Sequence, residues 1–401
     1  MQSVYIVAAK RTPIGSFCGS LSSVSAADLG STAIRGALRQ SAIDPALVDE
    51  VICGNVINAG QGMGPGRQAA IQAGIPADTP AYSLNMICGS GMKSVMDAVS
   101  HIRAGDAEIV VACGMENMSQ IPYLVPAAAR AGIRLGHQPL EDALLKDGLT
   151  DAFHQYHMGV TAENIARKHN LSREMQDKFA LQSQKKACAA IESGHFKQEI
   201  EPVEITGRKG VTLVTEDEYP KPDSSSEKLA KLRAAFEADG SVTAGNASGI
   251  NDGAAALILA SAQAVKQHNL TVLAEVVSYA QAGVDPAYMG LGPVPAIAKA
   301  LGKTDYTLAD MQVIELNEAF AAQALGVIRE LSAEHHIDEQ LIIERANPNG
   351  GAIALGHPLG ASGCRILVSL IYQLQAAEKH LGLASLCVGG GMGTAMMLRR
   401  N

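Results

Sequence analysis

The feature that most constrains the fold of this chain is an internal repetition. Four short segments of the first half recur in the same order in the second half: residues 6–8 at 276–278, 51–55 at 313–317, 88–91 at 360–363, and 110–115 at 387–392. The separation stays near 270 residues throughout. One match alone would mean little, but four in order predict a duplicated unit whose two halves pack together.

Apolar periodicity within the first half predicts strands that alternate with helices. The predicted strands are residues 4–9, 51–53 and 108–113. The predicted helices are residues 26–40, 67–73 and 92–102. Strands that alternate with helices favour an α/β class with right-handed parallel crossovers. In such folds a site for chemistry lies at the carboxyl ends of the strands, here where the halves meet.

A section of different character separates the halves. Residues 114–246 carry more charge and more turn signals, with one or two helices expected over 162–191 and a turn region at 220–226. We interpret the section as an inserted, partly helical subdomain, because surface connections tolerate insertions. The predicted organisation is an N-terminal domain (1–118 with 248–270), an inserted loop domain (119–247) and a C-terminal domain (271–401).

Charge and cysteine usage exclude several classes of protein. The net charge of −8 argues against nucleic-acid binding. Seven widely spaced cysteines without a Cys-x-x-Cys motif argue against a disulfide framework or a zinc site, and no metal is expected. No apolar run reaches the ~20 residues that span a bilayer, so no membrane partner is expected. These observations predict a cytoplasmic protein.

Cys88 is the first candidate for chemistry. It lies in Asn-Met-Ile-Cys-Gly-Ser-Gly-Met-Lys at 85–93, directly before the predicted helix. A helix N-terminus favours an anion and lowers the pKa of a thiol, and the neighbouring glycines allow a substrate to approach. The pattern indicates a nucleophilic cysteine. Taken alone, it is more typical of a buried, unreactive cysteine in a tight turn.

Three candidates in the second half lie beside small residues at predicted strand ends: Asn317, His357 and Cys387. Each also has a structural interpretation. Asn317 could cap the following helix, His357 could be a core histidine bonded to backbone, and Cys387 could be a small apolar strand residue. The adjacent Glu318 could be a solvated charge or a partner that stabilises the fold.

Four motifs together resemble those of the thiolase family, the acetyl-CoA acyltransferases. They are Cys-Gly-Ser-Gly at 88–91, Asn-Glu-Ala-Phe-Ala at 317–321, Gly-His-Pro-Leu-Gly-Ala-Ser-Gly at 356–363, and Cys-Val-Gly-Gly-Gly-Met-Gly at 387–393. The resemblance runs along essentially the whole chain. It implies an α/β fold of five layers (α-β-α-β-α) from two duplicated halves, with an inserted loop subdomain for CoA binding and oligomerisation. It also implies a homotetramer. Pro348 departs from the small aliphatic residue common at its position.

The resemblance also assigns catalytic roles. Cys88 would be acylated, and His357 would take its proton and help to hold the thioester oxygen. Asn317 would position a water in that first oxyanion hole. Cys387 would transfer the α-proton of acetyl-CoA. The N–H groups of Cys88 and Gly389 would form a second oxyanion hole.

By the same resemblance, the remaining candidates would bind the substrate. His157 and Met158 would face the pantetheine and acyl end, Ser248 would bond pantetheine, and Lys221 and Phe236 would lie near the adenine. Leu149, Met289 and Phe320 would line the acyl pocket. Lys221 could instead be an ordinary surface lysine, and the three acyl-pocket residues could be plain core.

The resulting expectation is an acetyl-CoA C-acetyltransferase that interconverts two acetyl-CoA with acetoacetyl-CoA and CoA through acyl-Cys88. CoA thioesters are its substrates, and no further cofactor is expected. The alternatives are a degradative 3-ketoacyl-CoA thiolase of broader range, a decarboxylating ketoacyl synthase, a cysteine hydrolase, and a catalytically silent acyl-CoA-binding protein on the same fold.

Overall fold

The computed structural model describes residues 2–208 and 210–400. Its strands are β1 (Val4–Arg11), β2 (Gly15–Ser16), β3 (Glu50–Gly54), β4 (Ala81–Leu84), β5 (Ile109–Asn117), β6 (Tyr123–Leu124), β7 (Glu141–Asp142), β8 (Val203–Gly207), β9 (Gly210–Val214), β10 (Asn251–Ser261), β11 (Ala274–Gly283), β12 (Val313–Leu316), β13 (Leu381–Val388) and β14 (Met392–Arg399).

The α-helices are α1 (Ala26–Ser41), α2 (Pro65–Gln72), α3 (Ser90–Ala104), α4 (Met158–Lys168), α5 (Arg173–Glu192), α6 (Ser226–Ala230), α7 (Ala262–Gln267), α8 (Pro293–Leu301), α9 (Ala321–His335), α10 (Glu339–Arg345), α11 (Ala352–Leu355) and α12 (Ser362–Ala376).

The two halves share one strand order, which confirms the duplication. The main sheet runs β12-β13-β14-β11-β1-β10-β5-β3-β4, and β2 pairs with β10. Read outward from the β1–β11 contact, β1-β10-β5-β3 corresponds to β11-β14-β13-β12. Both halves carry a register irregularity at the repeated segment: between Ile6 and Ala8 in β1, and between Val276 and Ser278 in β11. Bulges are conserved within families, so a bulge at the same place in both repeated segments indicates that the halves derive from one ancestral unit.

The expected parallel crossovers are present in part of the sheet, which is mixed. The parallel pairs of strands are β3–β4, β3–β5 and β12–β13. The strand β10, which follows the insert, pairs antiparallel with both β1 and β5. In the second half, β13 and β14 form an antiparallel hairpin. Two strands joined by a tight turn must run antiparallel, whereas parallel neighbours need a crossover.

Helices cover both faces of each half, which gives the five layers. One core packs α1 and α2 against the outer face of the first half, and another packs α8 and α9 against the outer face of the second. Between them lies a core formed by α3, α12 and the inner faces of both halves. The apolar stripe predicted for α3 is fully buried in this central layer. The helices that follow the two repeated turns therefore pack against each other at the centre.

The insert is anchored to the first strand by a buried ion-pair cluster. Arg11, at the end of β1, donates from Nε to Glu199 at 2.6 Å and from its two terminal nitrogens to Asp217 at 2.7 and 2.9 Å. All three side chains are buried. The helical stretch predicted over 162–191 is two helices, α4 and α5, with a break before the N-cap Ser172. Removing one partner of such a cluster would leave an uncompensated buried charge.

Candidate active site

Cys88 lies on a strained turn at the N-terminus of α3. The residue before it, Ile87, has φ of 47°, an uncommon conformation for a β-branched residue that costs ~1–3 kcal/mol. Two side chains hold the turn. Asn85 Oδ1 accepts from Ile87 N at 2.9 Å, and Ser90 Oγ accepts from Met86 N at 2.8 Å. The turn fixes where the Cys88 sulfur points.

The expected lowering of the Cys88 pKa is wrong. Burial raises the pKa of the Cys88 thiol to about 11, and the nearby carboxylate of Glu116 adds to the rise. The backbone N–H groups of Gly389 and of Cys88 itself act in the opposite direction. Loss of water outweighs these backbone dipoles because the thiolate has no charged partner. The resting cysteine is a thiol and requires a base.

One cavity of about 670 Å³ contains nearly all of the predicted site residues. Those that line it are Cys88, Leu149, His157, Met158, Lys221, Phe236, Ser248, Met289, Phe320, His357, Cys387 and Gly389. They come from both halves and from the insert. The cavity is thus built at the junction between the halves, where the sequence predicts a site.

His357 is buried and neutral. Burial, with a smaller contribution from the guanidinium of Arg365, lowers the pKa of its imidazole to about 3. Its backbone N–H donates to Asn251 Oδ1 at 3.0 Å, which ties the loop of the second half to β10. Its Nδ1 lies 2.6 Å from Ser362 Oγ and 3.3 Å from Asn317 Nδ2. With Nδ1 occupied in this way, Nε2 is the ring nitrogen left for the cavity.

Asn317 lies behind His357, outside the cavity lining. Its Nδ2 faces the ring, while its Oδ1 accepts from Arg365 Nη2 at 3.3 Å. It does not cap α9, whose N-cap position is Phe320. The structure therefore places Asn317 as a neighbour of the histidine, and its role in holding a water remains a prediction.

Cys387 lies near the end of β13, at the β13–β14 hairpin, and is 2% exposed. Burial, and then the nearby Cys88, raise the pKa of the Cys387 thiol well above its ordinary value. The hairpin turn needs glycine: Gly391 has φ of 85°, and a Cβ there would lie 2.4 Å from Val284 O. Two neutral thiols and one neutral imidazole thus meet in one cavity.

Aromatic side chains form one wall of the cavity. His157 stacks on Phe236 with ring centroids 4.5 Å apart, and Phe236 meets Phe320 edge-on at 6.2 Å. Gly159 makes room for this stack, because a Cβ there would lie 2.2 Å from the Phe236 ring. Near the mouth, the Lys221 ammonium lies 5.3 Å from the centre of the Tyr219 ring. The cavity therefore combines an apolar wall with the charged side chains of Lys221 and Glu218.

Glu318 stabilises the fold, which was one of its two expected roles. It is buried and accepts from Ser183 Oγ and Asn347 Nδ2, both at 2.6 Å. Ser183 belongs to α5, so this carboxylate joins the insert to the second half.

The sequence reasoning assigned no role to Ser362, Arg365, Glu116 or Asn251, all of which hold the site together. Ser362 was visible as the serine of the Gly-His-Pro motif. Among residues 2–208 and 210–400, no cluster of three or more histidine, cysteine, aspartate or glutamate side chains could hold a metal ion. In the same described part of the chain, the helices are all too short or too polar to cross a bilayer.

Comparisons with known proteins agree along the whole chain. The family "Thiolase, N-terminal domain" matches residues 4–263, and "Thiolase, C-terminal domain" matches residues 270–400. An acetyl-CoA acetyltransferase of Pseudomonas aeruginosa is 54% identical, with 100% of both chains covered. The cytosolic acetyl-CoA acetyltransferase of Rattus norvegicus is 51% identical, over 99% of this chain and 98% of the relative.

Solved structures show the same similarity. An acetyl-CoA acetyltransferase from Syntrophomonas wolfei superposes with a TM-score of 0.97 at 41% identity, covering 100% of both chains. Human mitochondrial 3-ketoacyl-CoA thiolase in complex with CoA superposes with a TM-score of 0.94 at 44% identity, covering 100% of this chain and 98% of that chain. On the sequence families, the relatives and the architecture together, this chain belongs to the thiolase family.

Proposed function

We propose that this protein is an acetyl-CoA C-acetyltransferase, which converts two acetyl-CoA to acetoacetyl-CoA and CoA and catalyses the reverse thiolysis. The observation that carries the proposal is the meeting of Cys88, His357 and Cys387 in one cavity of about 670 Å³. Full-length relatives with this activity in their names support it. One thiol is enough for acyl transfer, whereas carbon–carbon chemistry also needs a group that moves the α-proton.

The first half-reaction forms acyl-Cys88. His357 Nε2 takes the Cys88 proton, the sulfur attacks the thioester carbonyl carbon, and the CoA sulfur leaves with that proton. The thiol pKa of about 11 makes the base necessary. Before that proton passes to the CoA sulfur, protonated Nε2 donates to the thioester oxygen, where negative charge develops.

The second half-reaction forms the carbon–carbon bond. The Cys387 thiol passes its proton to His357 Nε2, and the resulting thiolate removes the α-proton from a second acetyl-CoA. The carbanion attacks the acyl carbon, the bond from that carbon to the Cys88 sulfur breaks, and the sulfur takes the proton back from His357. The N–H groups of Cys88 and Gly389 are assigned to the oxyanion of this step, consistent with the Gly389 N–H that points toward the Cys88 sulfur. Losing one such donor typically costs ~3–4 kcal/mol of transition-state stabilisation.

The substrates proposed are acetyl-CoA, acetoacetyl-CoA and CoA, held along the aromatic wall. Phe236 and His157 would contact the pantetheine chain, and Lys221 would face the nucleotide end. The CoA complex of the similar human thiolase supports a CoA ligand for this protein. No further cofactor enters the proposed chemistry.

A second candidate is a 3-ketoacyl-CoA thiolase of broader chain length, which the similarity to the human mitochondrial enzyme favours. The test is thiolysis by CoA, followed through the enolate absorbance of the β-ketothioester. Acetoacetyl-CoA is compared with a longer 3-ketoacyl-CoA, and Cys88→Ala serves as control. Fast loss of the short substrate alone, absent in the variant, supports the proposal.

Equal or faster loss of the longer substrate would move the assignment to the broader thiolase. No loss of either, with acetyl-CoA still protecting Cys88 from alkylation, would favour a silent acyl-CoA-binding protein. Hydrolysis of acyl-Cys88 that outruns its transfer to CoA would indicate a cysteine hydrolase.

We also propose a homotetramer in the cytoplasm. Strand β4 ends the sheet, and a second copy could pair with this edge. The insert exposes apolar side chains at Tyr123, Ile133, Leu135 and Leu140. Light scattering should give four chains for the wild type and fewer for Leu135→Glu. The seven free cysteines and the cytosolic name of the rat relative support the location, which cell fractionation tests.

A further inference from the structure

The imidazole of His357 has two buried neighbours on one side of the ring. Nδ1 lies 2.6 Å from Ser362 Oγ, the first residue of α12, and 3.3 Å from Asn317 Nδ2. Both neighbours are buried, which shields Nδ1 from bulk water. Which neighbour Nδ1 pairs with decides which ring nitrogen carries the proton of the neutral histidine.

The hydroxyl of Ser362 has a second partner besides the ring. Its Oγ lies 2.9 Å from the carbonyl oxygen of Pro358, which can only accept a hydrogen bond. That carbonyl also accepts from the backbone N–H groups of Ala361 and Ser362, both at 3.0 Å. When the hydroxyl hydrogen lies on Pro358 O, Ser362 Oγ can only accept from His357, which requires the proton on Nδ1.

The amide of Asn317 has the opposite preference. Its Oδ1 faces Arg365 Nη2 at 3.3 Å, and a guanidinium can only donate. The amide nitrogen must therefore face the ring, where it can only donate to an unprotonated Nδ1. Asn317 thus favours the tautomer with its proton on Nε2, but from the longer distance.

We propose that Ser362 is a positioning residue that holds His357 in the Nδ1–H tautomer, so that Nε2 faces Cys88 with a free lone pair. This inference rests on the proposed function. The Cys88 S–H bond breaks as the Nε2–H bond forms, and the proton later passes to the leaving CoA sulfur. With the Nε2–H tautomer, the same nitrogen could donate to an oxygen but could not accept the thiol proton.

The charges around the ring do not supply an alternative orienting group. The nearby guanidinium of Arg365 is paired with Glu315 at 3.3 Å. Cys88 and Cys387, the thiols that share the cavity with His357, are neutral at ordinary pH because burial raises their pKa. Glu116 bonds the loop at Gly360 N and not the imidazole. Ser362 is therefore the neighbour that determines which ring nitrogen of His357 carries the proton.

The test is single-turnover acetylation of Cys88 by acetyl-CoA, followed by rapid quench and mass spectrometry across a range of pH. Ser362→Ala should acetylate at least about tenfold more slowly near neutral pH, because general-base assistance is lost. Its rate should rise with pH and approach that of the wild type, since hydroxide then removes the thiol proton. Ser362→Thr, which keeps the hydroxyl, should recover most of the rate. Ser369→Ala removes a buried hydroxyl from the same helix away from His357, and it should match the wild type.

A loss in Ser362→Ala that is equal at every pH would indicate a merely structural role and overturn the inference, as would an unchanged rate. Failure of the wild type to acetylate would count against the proposed function instead. Nitrogen-15 NMR of histidine-labelled wild type decides the tautomer independently, even where Ser362→Ala does not fold. The His357 signal, assigned by its loss in His357→Asn, should show a protonated Nδ1, and a protonated Nε2 would overturn the proposal.

Discussion

Glu116 of the first half accepts a hydrogen bond from the backbone N–H of Gly360 in the second half, at 3.0 Å. The same carboxylate accepts from Asn55 Nδ2 and Val56 N at 2.9 Å. Gly360 lies three residues after His357, so one buried side chain ties the base-bearing loop to the half that carries Cys88. This contact therefore fixes the position of His357 relative to Cys88.

Glu116→Gln should therefore reduce both stability and activity. The amide nitrogen of glutamine would face N–H donors that it cannot pair with, at ~1–3 kcal/mol for each buried group left unsatisfied. Thermal unfolding should show a lower midpoint, and kcat should fall. The control is Glu334→Gln, on an exposed position of α9, which should stay within ~0.5 kcal/mol of the wild type. If Glu116→Gln unfolded at the same temperature as the control, Glu116 would not be holding the two halves together.

Gly159→Ala should weaken binding of the CoA substrate more than it slows the chemistry. Its Cβ would collide with the Phe236 ring, which stacks on His157 and forms the cavity wall. We expect KM for acetyl-CoA to rise about tenfold, with a smaller change in kcat. Gly207→Ala, in the exposed strand β8, is the matched control because a Cβ there would lie 3.8 Å from its nearest neighbour, Gly210 O. An unchanged KM would show that the wall does not touch substrate.

Alkylation of Cys88 in the resting enzyme should follow the raised pKa of its thiol. Because the folded pKa of about 11 lies above the ordinary value of 9.0, the protonated form dominates at neutral pH. Alkylation by iodoacetamide should then increase roughly tenfold per pH unit up to about pH 11. Peptide mass spectrometry separates Cys88 from the other six cysteines, with Cys88→Ala as the blank. A rate that is already maximal near neutral pH would mean that a thiolate pre-exists.

Cys387→Ala should separate the two half-reactions. Transfer of acetyl from acetyl-CoA to Cys88 should persist, while condensation and thiolysis fall by ~10²–10⁴, the usual effect of removing a general acid or base. Burst acetylation and steady-state thiolysis measure the two quantities in one preparation. Equal losses in both would show that Cys387 has another role.

The duplication was readable from sequence because matched segments keep their order, and even the bulges at Val7 and Val277 fall in the repeated stretch. Strand direction was not readable. A short apolar run such as residues 254–260 carries no mark of whether it returns beside β1 in parallel or antiparallel. The antiparallel direction of β10 depends on the end of the sheet at which the insert brings the chain back to β1.

Twelve of the residues that line the cavity were predicted. Cys88, Phe320, His357, Cys387 and Gly389 lie in the four motifs, whereas the other seven were expected from the resemblance to the thiolase family alone. The pKa of Cys88 was not predictable, because the sequence shows the helix N-terminus but not how much water the folded cavity removes. Ser362 lies in the Gly-His-Pro motif, yet its role depends on a 2.6 Å contact with His357 and on the Pro358 carbonyl. Contacts of that kind exist only after the loop has folded.

The most direct test of the account is the site of acetylation. The wild type, Cys88→Ala and Cys387→Ala are each mixed with acetyl-CoA, quenched, digested and analysed by mass spectrometry. We expect one acetyl group per chain on the peptide that contains Cys88, in the wild type and in Cys387→Ala, and none in Cys88→Ala. That acetyl group should leave when CoA is added. Acetylation of Cys387 in place of Cys88, or full turnover by Cys88→Ala, would contradict the account.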